Sequence, residues 1–385
     1  MGGSSPKRAQ TLTLSGSPFT GSYNRAPDRN GLRVSALGKR VGVQHDGLLF
    51  VHMGSQALVL WPHVSCRSSF HFESLMNFHD VSPQLLDELL PQFAPTEFLG
   101  AGGQKRVFKC RYEEHTWALP LILVSDDPDR SLDDDDSGFG FSSDQVIARL
   151  RREVRIMRTC DSVHLVKMGP IDVSPLEIDN LSILYFLEQL IDGEDLKQII
   201  AQGLMPIEEI KKLGIHVTIA IDNLWNCDPS KQIIHRDLKP ANIMRRTATG
   251  EYVVLDIGLA FDLHDKSISL PGQVPGTTLY FSPDQLGMAK KRQMDFRADM
   301  FALGVILYEA ATGKHPFFTN GMSTMDLFNS ILHAKPKHIH DFLPEFPVDL
   351  AEIIMRLLAK KPHLRYRTCE SLLTALNQVG SGDCL

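Results

Sequence analysis

The feature that most constrains this chain is one eight-residue stretch, His235-Arg236-Asp237-Leu238-Lys239-Pro240-Ala241-Asn242. It carries a carboxylate that can accept a proton, a lysine that can face a phosphate and an amide that can hold a metal ion. An apolar run, residues 252–255, then leads into Asp256-Ile257-Gly258. Isolated His-Arg-Asp triplets arise by chance, but the longer stretch followed at this distance by Asp-x-Gly is highly specific. The sequence therefore predicts a hairpin that gathers Asp237, Asn242 and Asp256 at one site.

These residues and several later segments resemble the eukaryotic-type serine/threonine protein kinase family, from about residue 93 to about residue 379. Residues 276–284 are similar to the segment that ends Ala-Pro-Glu in that family, with Asp284 in place of the glutamate. Residues 295–304 resemble the helix that supports the catalytic loop, with Asp299 as its carboxylate. Arg365 is similar to the arginine that pairs with the Ala-Pro-Glu acid.

The resemblance implies an α+β, bilobal protein-kinase fold. It has a small β-rich N-lobe with helix αC (residues 93–187) and a larger helical C-lobe (residues 191–380), together the kinase domain 93–380. Residues 1–30 lack periodicity and are rich in Ser, Gly, Pro and Arg, so we expect them to be disordered. Residues 31–92 form a predicted small β-rich extension, a β-meander followed by a helix that Ser82 caps and Pro83 begins. This extension could brace the kinase domain or bind a partner.

Composition limits the other possibilities. A hydrophobic content of 43% suffices for a sizeable core, and a net charge of −6 gives no reason to expect nucleic acid as a partner. The six cysteines are scattered without a Cys-x-x-Cys, which argues against a zinc site or a disulfide framework. No apolar run has the length of a membrane span, so we expect a cytoplasmic protein.

Residues 98–107 place a glycine loop between two strands. Gly100, Gly102 and Gly103 would let backbone N–H groups approach nucleotide phosphates closely, because glycine has no side chain to hold the phosphates away. The resemblance implies ATP as the nucleotide and Mg²⁺ as its metal ion.

The same resemblance implies how adenine is bound. Residues 184–193 look like the hinge, with Leu187 guarding the back pocket. The Glu188 carbonyl and the Leu190 N–H would face the adenine edge. The apolar residues above and below the ring would be Leu99, Val107, Ala118 and Met244, although such residues are also ordinary core.

The sequence departs from the family in the strand that normally supplies the phosphate-binding lysine. Pro120 occupies that position, and no lysine lies between Lys109 and Lys167. A proline inside a strand deletes a ladder hydrogen bond, so we expect a bulge or a local distortion there. The third glycine of the loop is replaced by Lys105, on the same strand face as Val107. This arrangement resembles the with-no-lysine kinases, in which a lysine at that position substitutes; the alternative is a solvated surface lysine.

Glu153 is the expected partner of this lysine. It is the sole glutamate between Glu114 and Glu177, and it lies in residues 146–158, whose apolar positions follow helical spacing. A glutamate among so many arginines could instead form local ion pairs.

The resemblance also implies the roles of the remaining residues. Asp237 accepts the proton of a substrate hydroxyl, Lys239 steadies the γ-phosphate, Thr277 hydrogen-bonds this pair, and Asn242 and Asp256 hold Mg²⁺. Arg236 is typical of kinases whose activation loop is ordered by phosphorylation, for which Ser267 and Ser269 are the nearest acceptors.

Three functions fit the sequence. The first is an ATP- and Mg²⁺-dependent kinase acting on Ser or Thr hydroxyls of protein substrates. The second is a pseudokinase scaffold or regulator, which Pro120 favours and the intact Asp237, Asn242 and Asp256 disfavour. The third is a kinase-fold enzyme acting on a small molecule, which the peptide-binding segment 276–284 argues against.

Overall fold

The chain divides into two compact units, residues 1–74 and residues 75–385. The computed structural model describes residues 33–36, 39–44, 48–53, 56–60, 76–102, 105–124, 143–179, 181–228, 232–257, 261–262, 277–286 and 294–380. The expected disorder of residues 1–30 lies outside these ranges. The helix predicted before residue 93 belongs to the second unit, so residues 75–92 group with the residues that follow them rather than with the strands before them.

The first unit contains a four-stranded antiparallel sheet in the order β1-β2-β3-β4, in which each strand pairs with the next along the chain. This is the connectivity of a meander, as the alternation of apolar and polar residues indicates. The strands are β1 (Arg33–Ala36), β2 (Lys39–Gln44), β3 (Leu48–Met53) and β4 (Gln56–Leu60).

The N-terminal part of the second unit is a β-sheet with one long helix, as expected for the smaller lobe. The sheet order is β5-β6-β7-β9-β8, and β10 pairs with β7 beside β9. The elements are α1 (Pro83–Leu89), β5 (Glu97–Gly102), β6 (Lys105–Tyr112), β7 (His115–Val124), α2 (Ser143–Thr159), β8 (Ser174–Ile178), β9 (Leu181–Tyr185) and β10 (Glu188–Gln189). Helix α2 is at the position of the family's helix αC.

The rest of the second unit is mainly helical, with short strands that carry the loops of the site. Helix α6 is buried on all sides and forms the centre of the larger core. The elements are β11 (Gly193–Asp195), α3 (Leu196–Ala201), α4 (Ile207–Asn226), β12 (Ile233–Ile234), β13 (Ile243–Arg246), β14 (Tyr252–Val254), β15 (Phe261–Asp262), α5 (Pro283–Leu286), α6 (Arg297–Thr312), α7 (Thr324–His333), α8 (Val348–Leu357) and α9 (Cys369–Gln378). The α+β bilobal fold is thus confirmed.

Every helix among the described residues is too short or too polar to cross a membrane.

Helix α1 covers the outer face of the smaller lobe's sheet. The Ser82 hydroxyl accepts a hydrogen bond from the Leu85 N–H at 3.2 Å, which caps the helix as predicted. Leu86 is fully buried, and it packs with residues of β6, β7 and β9. We call this group the outer-face cluster: Phe78, Val81, Leu86, Leu90, Phe93, Phe108, Cys110, Leu119, Leu121, Leu123, Ile178, Leu181, Ile183, Tyr185 and Leu187. The segment that carries α1 therefore braces the sheet.

Strand β7 runs through Pro120 without the predicted bulge. Its register with β6 is continuous from Tyr112–His115 to Lys105–Ile122, with Val107 opposite Pro120. On the other side, β7 pairs Leu121 with Tyr185 and Ala118 with Glu188, leaving Leu119 and Pro120 between the two ladders. The hydrogen bond that proline cannot donate falls where β9 gives way to β10, so the strand keeps its register. A register shift occurs instead in β5, between Phe98 and Gly100.

The expectation of no disulfide is wrong for one pair. Cys160, directly after α2, and Cys227, directly after α4, form a disulfide with their Cα atoms 5.2 Å apart. The two residues are 67 positions apart in the sequence, so their spacing gave no sign of the pairing. Cys110 and Cys369 are free and buried.

Candidate active site

The catalytic loop is held in place by a buried carboxylate of helix α6. The backbone N–H groups of His235 and Arg236 donate to the two oxygens of Asp299, at 2.8 and 2.9 Å. Arg236 has a φ of 68°, a conformation that non-glycine residues rarely adopt and that persists where surrounding contacts enforce it. Asp299 therefore fixes the backbone turn that presents the next residue, Asp237.

Asp237 lies in this turn with two hydrogen-bond donors on its carboxylate. Lys239 Nζ is 2.9 Å from Asp237 Oδ2, and Asn242 Nδ2 is 3.2 Å from the same oxygen. Burial raises the pKa of Asp237, and the nearby Lys239 ammonium opposes that rise. Because Lys239 and Asn242, which hold this carboxylate, both line the cleft, Asp237 is placed to accept a proton from a hydroxyl group bound there.

Asn242 and Asp256 supply oxygen atoms on the same cleft. Asn242 Nδ2 also donates to the Asp237 backbone carbonyl at 2.9 Å, which occupies the amide nitrogen and leaves the amide oxygen for a ligand. Strands β13 and β14 pair directly between the two residues, and the Leu255 N–H donates to the Asn242 carbonyl. Oxygen donors of this kind fit Mg²⁺, which commonly takes its other ligands from phosphate and water. Among the described residues no group of three or more His, Cys, Asp or Glu is arranged to hold a metal ion.

The cleft between the lobes has a volume of about 980 Å³. Its floor carries Asp256, Asn242 and Met244, and its edge carries Leu190. Its roof is formed by residues of β5, β6 and β7, namely Leu99, Gly100, Gly102, Lys105, Val107 and Ala118. The cleft therefore gathers the described residues predicted for nucleotide binding, with the exception of Leu187.

Lys105 points into the cleft and contacts Glu153 of helix α2. Lys105 Nζ is 3.8 Å from Glu153 Oε1, and the Glu153 side chain is almost completely buried. Burial alone would lower the pKa of Lys105, but the carboxylates of Glu188, Asp256 and Glu153 raise it above its ordinary value. The nearby carboxylates therefore favour the charged form of Lys105, whose side chain is only 25% exposed.

The structure corrects the prediction that Leu187 guards the back pocket. Leu187 is fully buried in the outer-face cluster, on the opposite face of the sheet from the cleft. Glu188 is directly opposite Ala118, so these two side chains share the cleft face. Glu188 Oε1 lies 4.0 Å from Lys105 Nζ. The back-pocket position is thus occupied by Glu188, one residue later than predicted.

Asp195 is a cleft residue that the sequence analysis missed. It lines the cleft and also caps helix α3, by accepting a hydrogen bond from the Gln198 N–H at 2.8 Å. An aspartate just before a short helix is typical of an N-cap. The sequence therefore gave no separate sign that Asp195 also lines the cleft. Glu188 had a usable signal, because the one carboxylate in the mostly apolar run 183–191 must find a buried partner.

The predicted pairing of Asp284 with Arg365 is present. Arg365 Nη1 donates to Asp284 Oδ2 at 2.6 Å and to the Arg297 carbonyl at 2.6 Å, and the Arg365 side chain is completely buried. The shorter aspartate therefore reaches the arginine.

Thr277 begins a 3₁₀ turn, Thr277–Tyr280. Gly103, Gly258, Ser267, Ser269 and the Thr277 side chain lie outside the described part of the chain.

Comparisons with known proteins identify the family of this chain. The family model described as protein kinase domain matches residues 93–375. A Clostridium perfringens protein named "probable serine/threonine-protein kinase" is 28% identical over 285 residues, which are 73% of this chain and 37% of the relative. Serine/threonine-protein kinase PknB of Mycobacterium leprae is 31% identical over 237 residues, 61% of this chain and 36% of the relative. The chain thus spans little more than a third of the length of these relatives.

Proposed function

The chain belongs to the protein kinase domain family, and we propose that it transfers the γ-phosphoryl group of ATP to Ser or Thr hydroxyls of protein substrates. The observation that carries this proposal is the contact of Lys105, in the roof of the cleft, with the buried Glu153, above a floor that carries Asn242 and Asp256. Relatives named as serine/threonine-protein kinases support the choice of acceptor.

Lys105 replaces the phosphate-binding lysine that the family carries on the third strand of this sheet. That strand is β7, and it has no lysine. The Lys105 ammonium enters from β6, binds the α- and β-phosphates, and is held by Glu153. Pro120 is directly opposite Val107 and so shares its face of the sheet, where the short proline ring carries no charge that could bind a phosphate.

The remaining residues position the acceptor and the phosphate. The Asp237 carboxylate orients the substrate hydroxyl and accepts its proton, while Lys239, 2.9 Å away, steadies the transferred phosphoryl group. Asn242 and Asp256 would hold Mg²⁺, which when bound offsets negative charge on the phosphates. Thr277 is proposed to hydrogen-bond the Asp237–Lys239 pair. Arg236 would bind a phosphate on the activation segment, as a guanidinium can.

The test is phosphoryl transfer from γ-labelled ATP with Mg²⁺ to a general acceptor protein such as casein, followed by acid hydrolysis to identify the labelled residue. We expect phosphoserine or phosphothreonine with the wild type. Asp237→Asn should lower the rate at least about 100-fold at unchanged nucleotide affinity, because it removes the proton acceptor alone. Label on Asp237→Asn at the wild-type rate would refute the mechanism.

Pro120 favours a second candidate, a pseudokinase scaffold. In that case the wild type would bind nucleotide weakly or not at all and would transfer no phosphate in the same assay. The result for the wild type in this assay is therefore enough to distinguish the two functions.

A further inference from the structure

We propose that Glu188 is a positioning residue for Lys105: it holds the ammonium from the hinge side of the cleft while Glu153 holds it from helix α2. The inference rests on the proposed function, because it concerns how the displaced lysine is brought to the phosphates. We call this arrangement, the carboxylates of Glu153 and Glu188 around the Lys105 ammonium, the clamp.

The position of Glu188 is the first support for this assignment. The residue is 9% exposed, and its side chain faces the cleft opposite Ala118. Carboxylates that are nearly buried are retained in proteins when a cation or hydrogen bonds satisfy them. Among the described residues, the ion-pair partner of Glu188 is Lys105, whose Nζ lies 4.0 Å from Glu188 Oε1.

The path of the lysine explains why a second anchor is useful. Lys105 begins on β6, whereas Glu188 lies on β10, on the far side of β7. Two strand spacings of about 4.8 Å separate β6 from β10, and Lys105, opposite Ile122, is also four residues along β7 from Glu188, opposite Ala118, so both side chains must extend toward each other. The lysine stem is long and flexible, so fixing its end loses rotamer freedom. A carboxylate on each side of the ammonium restricts that end more than Glu153 alone.

The hydrogen-bonding capacity of the ammonium matches this arrangement. A lysine ammonium has three N–H donors. Glu153 Oε1 and Glu188 Oε1, at 3.8 and 4.0 Å, lie within ion-pair range of the ammonium but beyond hydrogen-bonding distance, so its N–H donors remain for phosphate oxygens in the cleft. Glu153 Oε1 is buried and has no hydrogen-bond partner among the described residues, which agrees with an ion pair rather than a hydrogen bond.

The electrostatics of the site are consistent with the clamp. Burial lowers the pKa of Lys105, and among the groups that raise it Glu188 has the largest effect, ahead of Asp256 and Glu153. Glu188 thus stabilises the charged form of the lysine in a position where burial opposes it.

The test is a double-mutant cycle read by nucleotide binding rather than by catalysis. The dissociation constant of a fluorescent ATP analogue with Mg²⁺ is measured for the full chain carrying Glu188→Leu, Glu188→Gln or Lys105→Met, and for the double variants. We expect Glu188→Leu to weaken binding about tenfold and Glu188→Gln, which keeps the size and an acceptor, about threefold. In the Lys105→Met background, either change at Glu188 should alter binding by less than about twofold.

A matched control is Glu177→Leu, an exposed glutamate on β8 of the same sheet. It should leave the dissociation constant unchanged. Equal effects of Glu188→Leu with and without Lys105 would show a merely structural role and would overturn the inference, as would tighter binding by Glu188→Gln. If Lys105→Met weakens binding while Glu188 variants do not, this inference alone fails. If Lys105→Met has no effect, the lysine assignment of the proposed function fails as well.

Discussion

The Lys105 ammonium lies 3.8 Å from Glu153 Oε1, although the two residues come from the glycine loop strand and from helix α2. In this chain the strand between them carries Pro120 at the position where the family has its lysine. The contact joins the roof of the cleft to the helix that borders it. It also places a charged ammonium above Asn242 and Asp256, where the phosphates of a nucleotide would lie.

Restoring a lysine on β7 should replace the function of Lys105. Residue 120 shares the cleft face with Val107, so the side chain of Pro120→Lys would extend toward the same phosphates. In the Lys105→Met background we expect Pro120→Lys to recover about tenfold or more in kcat/KM for ATP. Thr116→Lys, at an exposed position of the same strand, is the control. Recovery no greater than that of the control would show that residue 120 does not face the phosphates.

Much of this site could be predicted from the sequence, because Asp237, Asn242 and Asp256 lie in one motif joined by a short hairpin. The side of the sheet that Glu188 faces could not be predicted. A resemblance places the hinge only to within one residue, and each step along a strand turns the side chain to the opposite face. The effect of Pro120 was misjudged because the ladder it weakens already ends there, between β9 and β10. The packing of α1 with the second unit could not be predicted, because its burial depends on a sheet formed by later residues.

The bracing role of α1 can be measured in the full chain. Leu86 is fully buried in the outer-face cluster, whereas Leu89 of the same helix is 42% exposed. Leu86→Ala should lower the free energy of unfolding of the second unit by about 2–5 kcal/mol, through lost burial and the cavity left behind. Leu89→Ala should cost less than about 1 kcal/mol. Urea denaturation followed by tryptophan fluorescence measures both, and equal losses would contradict the packing described.

The buried pair of Asp284 and Arg365 should be important for stability. Arg365→Met would leave Asp284 without its cation and the carbonyls of Ala359 and Arg297 without their donor. We expect a loss of about 3–5 kcal/mol in the free energy of unfolding. Arg367→Met, at an exposed position two residues later, should be nearly neutral. A comparable loss in both variants, measured by chemical denaturation, would contradict the assignment.

Acid should destabilise the kinase domain through His315. Its Nδ1 accepts a hydrogen bond from the Phe317 N–H and its Nε2 contacts the Leu279 carbonyl, so the neutral ring fits the site. Burial lowers the pKa of His315 to about 4. Because the unfolded chain then binds a proton more readily, stability falls as the pH drops from about 6.5 toward 4.

The expected loss from this group between pH 7.5 and pH 5 is about 2 kcal/mol in the free energy of unfolding. His315→Gln cannot titrate and should reduce the pH dependence by that amount, while His333→Gln at an exposed position should not. Denaturation curves at the two pH values test this, and an unchanged slope in His315→Gln would contradict it.

The most direct test of the displaced lysine is kcat/KM for ATP in Lys105→Met compared with Lys109→Met. Lys109 is on the same strand, but its side chain is 45% exposed and pairs with Glu97 at 3.3 Å. The account predicts a loss of at least about 100-fold for Lys105→Met and less than about threefold for Lys109→Met. Activity of Lys105→Met within threefold of the wild type would contradict it.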